Sequence, residues 1–258
     1  MSKFFNNKIV FITGASSGFG KACAYQFARE GANLIICARR YELVEALAVE
    51  IRDKYQVEVL SLKLDVRNRA EVDKSIEQLP EIWQKIDILV NNAGLASGLS
   101  KLHEGDIEDW ERMIDTNIKG LLYMTRKVVP LMISNNIKGQ VINIGSIAGI
   151  NAYPNGAVYC GSKAAVRFIS DGLRMDLVET GIRVTNIQPG LAETEFSIVR
   201  FHGDKEKAGA VYKGIEALTA VDVADAVIFA ASRPAHVQIC EITITPTYQA
   251  SATVVHRK

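Results

Sequence analysis

The chain has 258 residues, 48% of them hydrophobic, and its 30 Lys+Arg nearly balance its 29 Asp+Glu, leaving a net charge of +1. That length fits one α/β domain with a sizeable core, and the balanced charge gives no support to nucleic acid or an anionic membrane as partner. No apolar run is long enough to span a membrane, and the start, Met1-Ser2-Lys3-Phe4-Phe5-Asn6-Asn7, is too short and polar for a signal peptide, so a cytoplasmic location is expected.

Ile9-Val10-Phe11-Ile12 is an apolar, β-branched run, the pattern of a strand buried on both faces. It leads into Thr13-Gly14-Ala15-Ser16-Ser17-Gly18-Phe19-Gly20, after which Cys23, Phe27 and Ala28 recur at helical spacing. Glycines at such a strand-to-helix turn permit positive φ and close approach of the backbone to a ligand. The free N–H groups at the helix start suit a pyrophosphate. Gly14, Ser16, Ser17, Gly18, Phe19 and Gly20 are therefore candidate cofactor contacts. The spacing is G-x-x-x-G-x-G, not the commoner G-x-G-x-x-G; a tight turn without a ligand is the alternative reading, and the flanking strand and helix weigh against it.

The second strand, Asn33-Leu34-Ile35-Ile36-Cys37-Ala38, ends in Arg39-Arg40. Many dinucleotide folds place an acid there to bind the ribose 2′-hydroxyl. Two guanidiniums instead suit a 2′-phosphate, through bidentate charge-assisted bonds, so Arg39 and Arg40 point to NADP(H) over NAD.

Further strands are expected at 59–62, 88–90, 141–144, 184–187 and about 238–245. Helical patterns lie between them near 40–54, 69–83, 107–136, 157–180 and 221–232. Alternating strands and helices imply right-handed crossovers and a doubly wound parallel sheet with helices on both faces. No repeat, linker or low-complexity stretch divides the chain, so residues 1–258 are expected to form a single domain. Cys23, Cys37, Cys160 and Cys240 show no C-x-x-C spacing, and positions 37 and 240 fall in expected strands; they read as core thiols. The four histidines are scattered and form no metal pattern, so no metal is expected.

Tyr159-Cys160-Gly161-Ser162-Lys163 puts a phenol and an ammonium at i and i+4, on one face of a helix. A free tyrosine, with a pKa of about 10, is a poor acid/base near neutrality, and a nearby cation lowers that value. The spacing thus predicts that Lys163 activates Tyr159 for hydroxyl and carbonyl chemistry. Ser146, thirteen residues earlier, closes an apolar strand.

With these segments the chain resembles the short-chain dehydrogenase/reductase family over roughly residues 5–246. The family's motifs occur in order: Thr13 to Gly20, Asp65-Val66, Asn91-Asn92-Ala93-Gly94, Asn117, Ser146, Tyr159 with Lys163, and Pro189-Gly190 followed by Thr194. The resemblance implies a Rossmann-type sheet of about seven strands. It implies Tyr159 as general acid/base, Ser146 as a hydrogen-bond partner of the substrate oxygen, Lys163 as tuner of the phenol and holder of the nicotinamide ribose, and Asn117 as part of a proton relay. Asp65 and Val66 would contact the adenine. Asn92, Ala93 and Gly94 would line the cofactor floor, and Pro189, Gly190 and Thr194 would complete the site. A substrate lid is expected over about 191–214, a tail over about 247–258, and a homotetramer built on the long helices, with the apolar tail segment 252–255 packing on a neighbour.

Within the family the chain is most similar to the NADP-dependent 3-hydroxy acid dehydrogenases, through 141–146, Pro189-Gly190-Leu191, Thr194-Glu195-Phe196-Ser197 and 233–237. It departs from them at Leu191-Ala192-Glu193-Thr194, where a longer, glycine-containing version is expected. The implied substrate is a small hydroxy acid or the matching carbonyl compound, and Arg200, in the lid, is the candidate partner of its carboxylate. The alternatives are a 3-oxoacyl-carrier-protein reductase, a broad carbonyl reductase, or a non-catalytic NADPH-sensing protein that keeps the fold.

Overall fold

The structure, a computed structural model, describes residues 3–258. Its centre is a parallel sheet of seven strands: β1 (Ile9–Thr13), β2 (Asn33–Ala38), β3 (Val59–Lys63), β4 (Ile88–Asn91), β5 (Gln140–Ile144), β6 (Arg183–Pro189) and β7 (Glu241–Ile244). They lie in the order β3-β2-β1-β4-β5-β6-β7. The expected doubly wound sheet is thus what forms. The chain steps outward from β1 to β3, then returns to place β4 on the other side of β1. That reversal opens a crevice beyond the carboxyl ends of β1 and β4, the position where such sheets take ligands.

Alternation along the buried strands supplies both faces of the core. Val10, Ile12, Leu34 and Ile36 pack one way, with Phe27 of helix α1 (Gly18–Arg29), Leu47 and Ile51 of α2 (Tyr41–Tyr55), and residues 223–231. Phe11, Ile35, Leu89 and Val141 pack the other way, with Val72 and Ile76 of α3 (Arg69–Glu77) and residues 124–132. Side chains of this size contribute roughly 1.5–3 kcal/mol each on burial, so the sheet is a rigid base for the loops at its carboxyl edge.

Several boundaries differ from the sequence expectation. The pattern over 69–83 is helical only to Glu77; Pro80 cannot continue it, and residues 81–83 form a separate 3₁₀ turn. The stretch 107–136 comprises α4 (Ile107–Ile114) and α5 (Leu121–Ser134), joined by a π-helical turn at Asp115–Gly120 that carries Asn117. Such turns recur at functional sites. Helix α6 (Ala157–Asp176) carries Tyr159 and Lys163. The segment after β6 is not a bare loop: it holds α7 (Phe196–Arg200) and α8 (Lys205–Ala210), and α9 (Ala220–Ala231) follows.

One expectation near the chain end needs correction. Strand β7 begins at Glu241, which leaves Cys240 exposed rather than a core thiol. Cys23 and Cys37 are buried, and burial pushes both thiols up to about 12. The tail folds on its own chain: Gln249 pairs with Val255 across a short antiparallel bridge. Gln249 Oε1 accepts the Leu191 N–H at 2.8 Å, and the Arg257 guanidinium donates to the carbonyls of Val211 (3.0 Å) and Lys213 (2.7 Å). Residues 247–258 therefore hold both ends of the segment expected to be the lid. On α6, Phe168 and Met175 are left exposed, with Val178 just beyond it, on the helix expected to meet a neighbouring copy. No helix of the described residues is long and apolar enough to cross a membrane.

Candidate active site

The turn after β1 is fixed from below by Thr13. Its hydroxyl accepts the N–H groups of Asn92 and Ala93, each at 3.0 Å, and donates to the Val90 carbonyl. The Asn92 amide returns bonds to the carbonyls of Thr13 (2.8 Å) and Gly14 (3.1 Å). This lattice leaves no room for a side chain at Gly14, whose φ is +67° and whose added Cβ would lie 2.9 Å from the Ala93 Cα. Gly14, Ser16, Ser17, Gly18 and Phe19 border a cavity of about 360 Å³. Gly20 does not: it is buried in α1, against the Asn92 side chain and the Gly14 carbonyl, and lets the helix start close to the strand.

Arg39, Arg40, Asp65 and Val66 form one end of this cavity. The Arg40 Nη2 donates to Ser16 Oγ, Ser17 Oγ and the Glu195 carboxylate, each at 3.0 Å. Glu195 thus reaches over the cavity from the segment before α7. Burial works to raise the Asp65 carboxyl, but its bonds with Arg67, the shortest 2.6 Å, outweigh that and hold it below the usual range.

Tyr159, Lys163, Asn92, Ala93, Gly94 and Thr194 also line the cavity. Tyr159 and Lys163 are only 8% and 6% exposed. The i,i+4 spacing does put them on one wall. Lys163 Nζ donates to the Ile144 carbonyl at 2.8 Å, and burial pushes its pKa down to about 8. Burial likewise raises the Tyr159 phenol well above its ordinary value, and Tyr153 adds to that; the Ser146 hydroxyl and the Arg200 cation act in the lowering direction.

Ser146 ends the loop after β5, where its Oγ accepts the Ala148 N–H at 3.1 Å and donates to the Pro189 carbonyl at 3.4 Å. Asn117 does not face the cavity. Its Oδ1 accepts the Leu95 N–H and its Nδ2 donates to the Leu95 carbonyl, both at 2.8 Å, and to Ser162 Oγ at 3.0 Å. Gly94 lies between Asn117 and Lys163: a Cβ there would sit 3.2 Å from Asn117 Oδ1 and 3.3 Å from Lys163 Nζ. Ser146, Pro189, Gly190 and Arg200 also stay off the cavity wall; Gly190 packs against the Gln249 side chain.

Arg200, at the end of α7, is brought to the Tyr159 side. Its guanidinium carbon lies 5.3 Å from the Tyr153 ring centroid and 6.0 Å from that of Tyr159. One terminal nitrogen donates to the Tyr153 hydroxyl at 2.9 Å, while the buried Nε has no protein partner. Phe196 meets the Tyr159 ring edge-on at 5.6 Å. Tyr153, Glu195 and Phe196 were not selected by sequence reasoning; Glu195 and Phe196 lay inside the matching stretch 194–197, and only Tyr153 had no motif to mark it.

The short chain dehydrogenase family profile matches residues 8–204. The chain belongs to this family. It is 46% identical over 254 residues to an NADP-dependent 3-hydroxy acid dehydrogenase of Schizosaccharomyces pombe, covering 98% of each chain. It is 49% identical over 251 residues to an NADP-dependent 3-hydroxy acid dehydrogenase of Salmonella typhi, covering 96% of this chain and 99% of that one. The closed form of a serine dehydrogenase complexed with NADP+ superimposes with a TM-score of 0.90 at 47% identity, covering 97% of this chain and all of that one. The protein is accordingly an oxidoreductase of the dehydrogenase class. Its cavity fits the dinucleotide of such enzymes: backbone N–H groups at a helix start face one part, two guanidiniums flank another, and glycines leave the approach open. Among the described residues no cluster of His, Cys, Asp or Glu could hold a metal ion.

Proposed function

We propose that the protein is an NADP-dependent oxidoreductase acting on the CH–OH group of a small 3-hydroxy acid, of the serine, L-allo-threonine or 3-hydroxypropionate type, or on the corresponding 3-keto compound. The observation that supports this reading is Arg200: a cation whose buried Nε has no protein partner lies 6.0 Å from the ring centroid of Tyr159, a residue of the cavity wall, so an anionic substrate that reaches it presents its hydroxyl-bearing carbon to the phenol.

The turn from Gly14 to Phe19 would hold the diphosphate, Arg39 and Arg40 the 2′-phosphate, and Asp65 and Val66 the adenine end. Asn92, Ala93 and Gly94 would form the floor, Tyr159 and Lys163 would bond the nicotinamide ribose, and Thr194 would close the site, backed by Pro189 and Gly190. When bound, the cofactor accepts or supplies the hydride. The protein's own work is proton transfer and positioning. Tyr159 takes the hydroxyl proton in oxidation and returns it in reduction. Ser146, just beyond the end of β5, orients the substrate oxygen and stabilises its developing charge. Asn117 holds the Leu95 backbone and, through it, the wall beside Gly94 and Lys163.

For cofactor choice, Arg40→Ala is expected to weaken NADPH binding by about 10- to 100-fold, the loss of a charge-assisted bond to phosphate, and NADH binding far less. Fluorescence titration with both nucleotides checks this, and equal weakening would remove the 2′-phosphate assignment. For substrate class, a panel followed by NADPH absorbance compares hydroxy acids, neutral carbonyls and acyl-carrier substrates. Arg200→Ala is expected to raise KM for the acids by about tenfold or more and to leave neutral carbonyls nearly unchanged. An unaltered KM for the acids would remove Arg200 as anchor.

A further inference from the structure

A buried carboxylate with no part in the proton chemistry lies behind the Tyr159 wall. Asp109, in the first turns of α4, is 6% exposed. Its Oδ1 accepts from the hydroxyl of buried Ser97 at 2.5 Å, and the Arg112 guanidinium approaches the same oxygen to 4.0 Å. Its Oδ2 faces His202 Nε2 at 3.2 Å. Room for that carboxylate depends on Gly98: with φ at +69°, a Cβ there would lie 2.5 Å from Oδ2.

His202 comes two residues after the end of α7. It is in the left-handed region, with φ +52°, and Gly203 follows at φ +92°. This turn reverses the chain and brings the imidazole back against α4. Two residues earlier, the carbonyl of Arg200 accepts the Gly98 N–H at 2.9 Å. The backbone of Arg200 and the side chain of His202 are thus caught at one place, by Gly98 and Asp109. Exposed pairs of this kind contribute little, but Asp109 is sequestered from water and oriented by Ser97, which strengthens a bond from the imidazole.

We propose that Asp109, with Ser97 and Gly98, is a dock for the α7 end of the lid, engaged by His202, and that this dock positions the Arg200 guanidinium over Tyr153 and Tyr159 and so sets affinity for anionic substrates. The inference rests on Arg200 as the carboxylate anchor. Asp109 and His202 are positioning residues in it and touch neither substrate nor cofactor.

The test uses the full chain with saturating NADP+. His202→Ala and Asp109→Asn are expected to speed amide hydrogen exchange in peptides covering Gly98 and residues 196–203. They are also expected to raise KM for 3-hydroxypropionate about tenfold while leaving KM for its methyl ester within about twofold. His202→Gln, whose amide N–H can still reach Asp109, is expected to restore both, since Gln56 already adopts a left-handed φ of 56° in this chain. Unchanged exchange, or equal rises in KM for acid and ester, would overturn the dock. Arg200→Ala measured alongside separates the two claims: if it leaves KM for the acid unchanged, the anchor itself is wrong, whereas a raised KM there with no effect of His202→Ala disposes of the dock alone.

Discussion

Tyr159→Phe is expected to lower kcat by about 100- to 10,000-fold, the range for removing a positioned general acid/base, while NADPH binding and thermal stability stay close to wild type. The structure makes this a clean substitution. The Tyr159 ring packs among Leu95, Ala96, Met113, Ala148 and Cys160, with Phe196 against its edge, and phenylalanine keeps all of that contact. The hydroxyl alone is lost. Steady-state rates and nucleotide fluorescence on the same preparation separate the two effects. Near-normal turnover would mean that another group moves the proton.

The second large effect concerns Lys163. Burial pulls its pKa from 10.5 to about 8, so the folded protein releases this proton more readily than the unfolded chain. Between those two values the unfolded state binds more protons, and stability rises with pH there; below about pH 8 both states are charged and the full cost of burying the ammonium is felt. The difference corresponds to roughly 3 kcal/mol, of which about 1 kcal/mol is returned by the bond to the Ile144 carbonyl. Lys163→Met, which fills similar space without charge, is therefore expected to raise the melting temperature of the cofactor-free protein by about 2–6 °C at pH 7, and to gain nothing above about pH 10.5. The same variant is expected to lose at least 100-fold in kcat/KM, because a residue kept at a cost in stability is kept for its function. Calorimetry against pH checks the sign: a lower melting temperature at pH 7 would show that the ammonium stabilises the fold.

The fold was legible because its signals are local. Ile9 to Gly20 carries strand, turn and helix start in twelve residues, and strands β2, β4, β5 and β6 were found from short β-branched runs. Boundaries were less legible where one residue ends an element, as at Pro80, or where the helical pattern continues through a π turn, as at Asn117. In the site, spacing specifies a face and leaves open which atom a flexible side chain chooses. Tyr159 and Lys163 do share a wall, but the lysine ends on the Ile144 carbonyl, 19 residues away in sequence. A second cation near the phenol, Arg200, comes from a different element, and its partner Tyr153 lies in a loop with no periodic pattern. Gly20 illustrates the converse: its motif position suggested a ligand contact, and it lies off the cavity wall, against the Asn92 side chain and the Gly14 carbonyl.

The proposed arrangement has Ser146 and Tyr159 meeting the reacting oxygen, with Arg200 6.0 Å from the Tyr159 ring centroid. A crystal structure of the protein with NADP+ and a 3-hydroxy acid examines that arrangement at once. The substrate's 3-oxygen is expected within about 2.6–3.2 Å of both the Tyr159 and Ser146 hydroxyls, with its carboxylate on the Arg200 guanidinium. A substrate oxygen out of reach of Tyr159, with the carboxylate turned away from Arg200, would contradict the account.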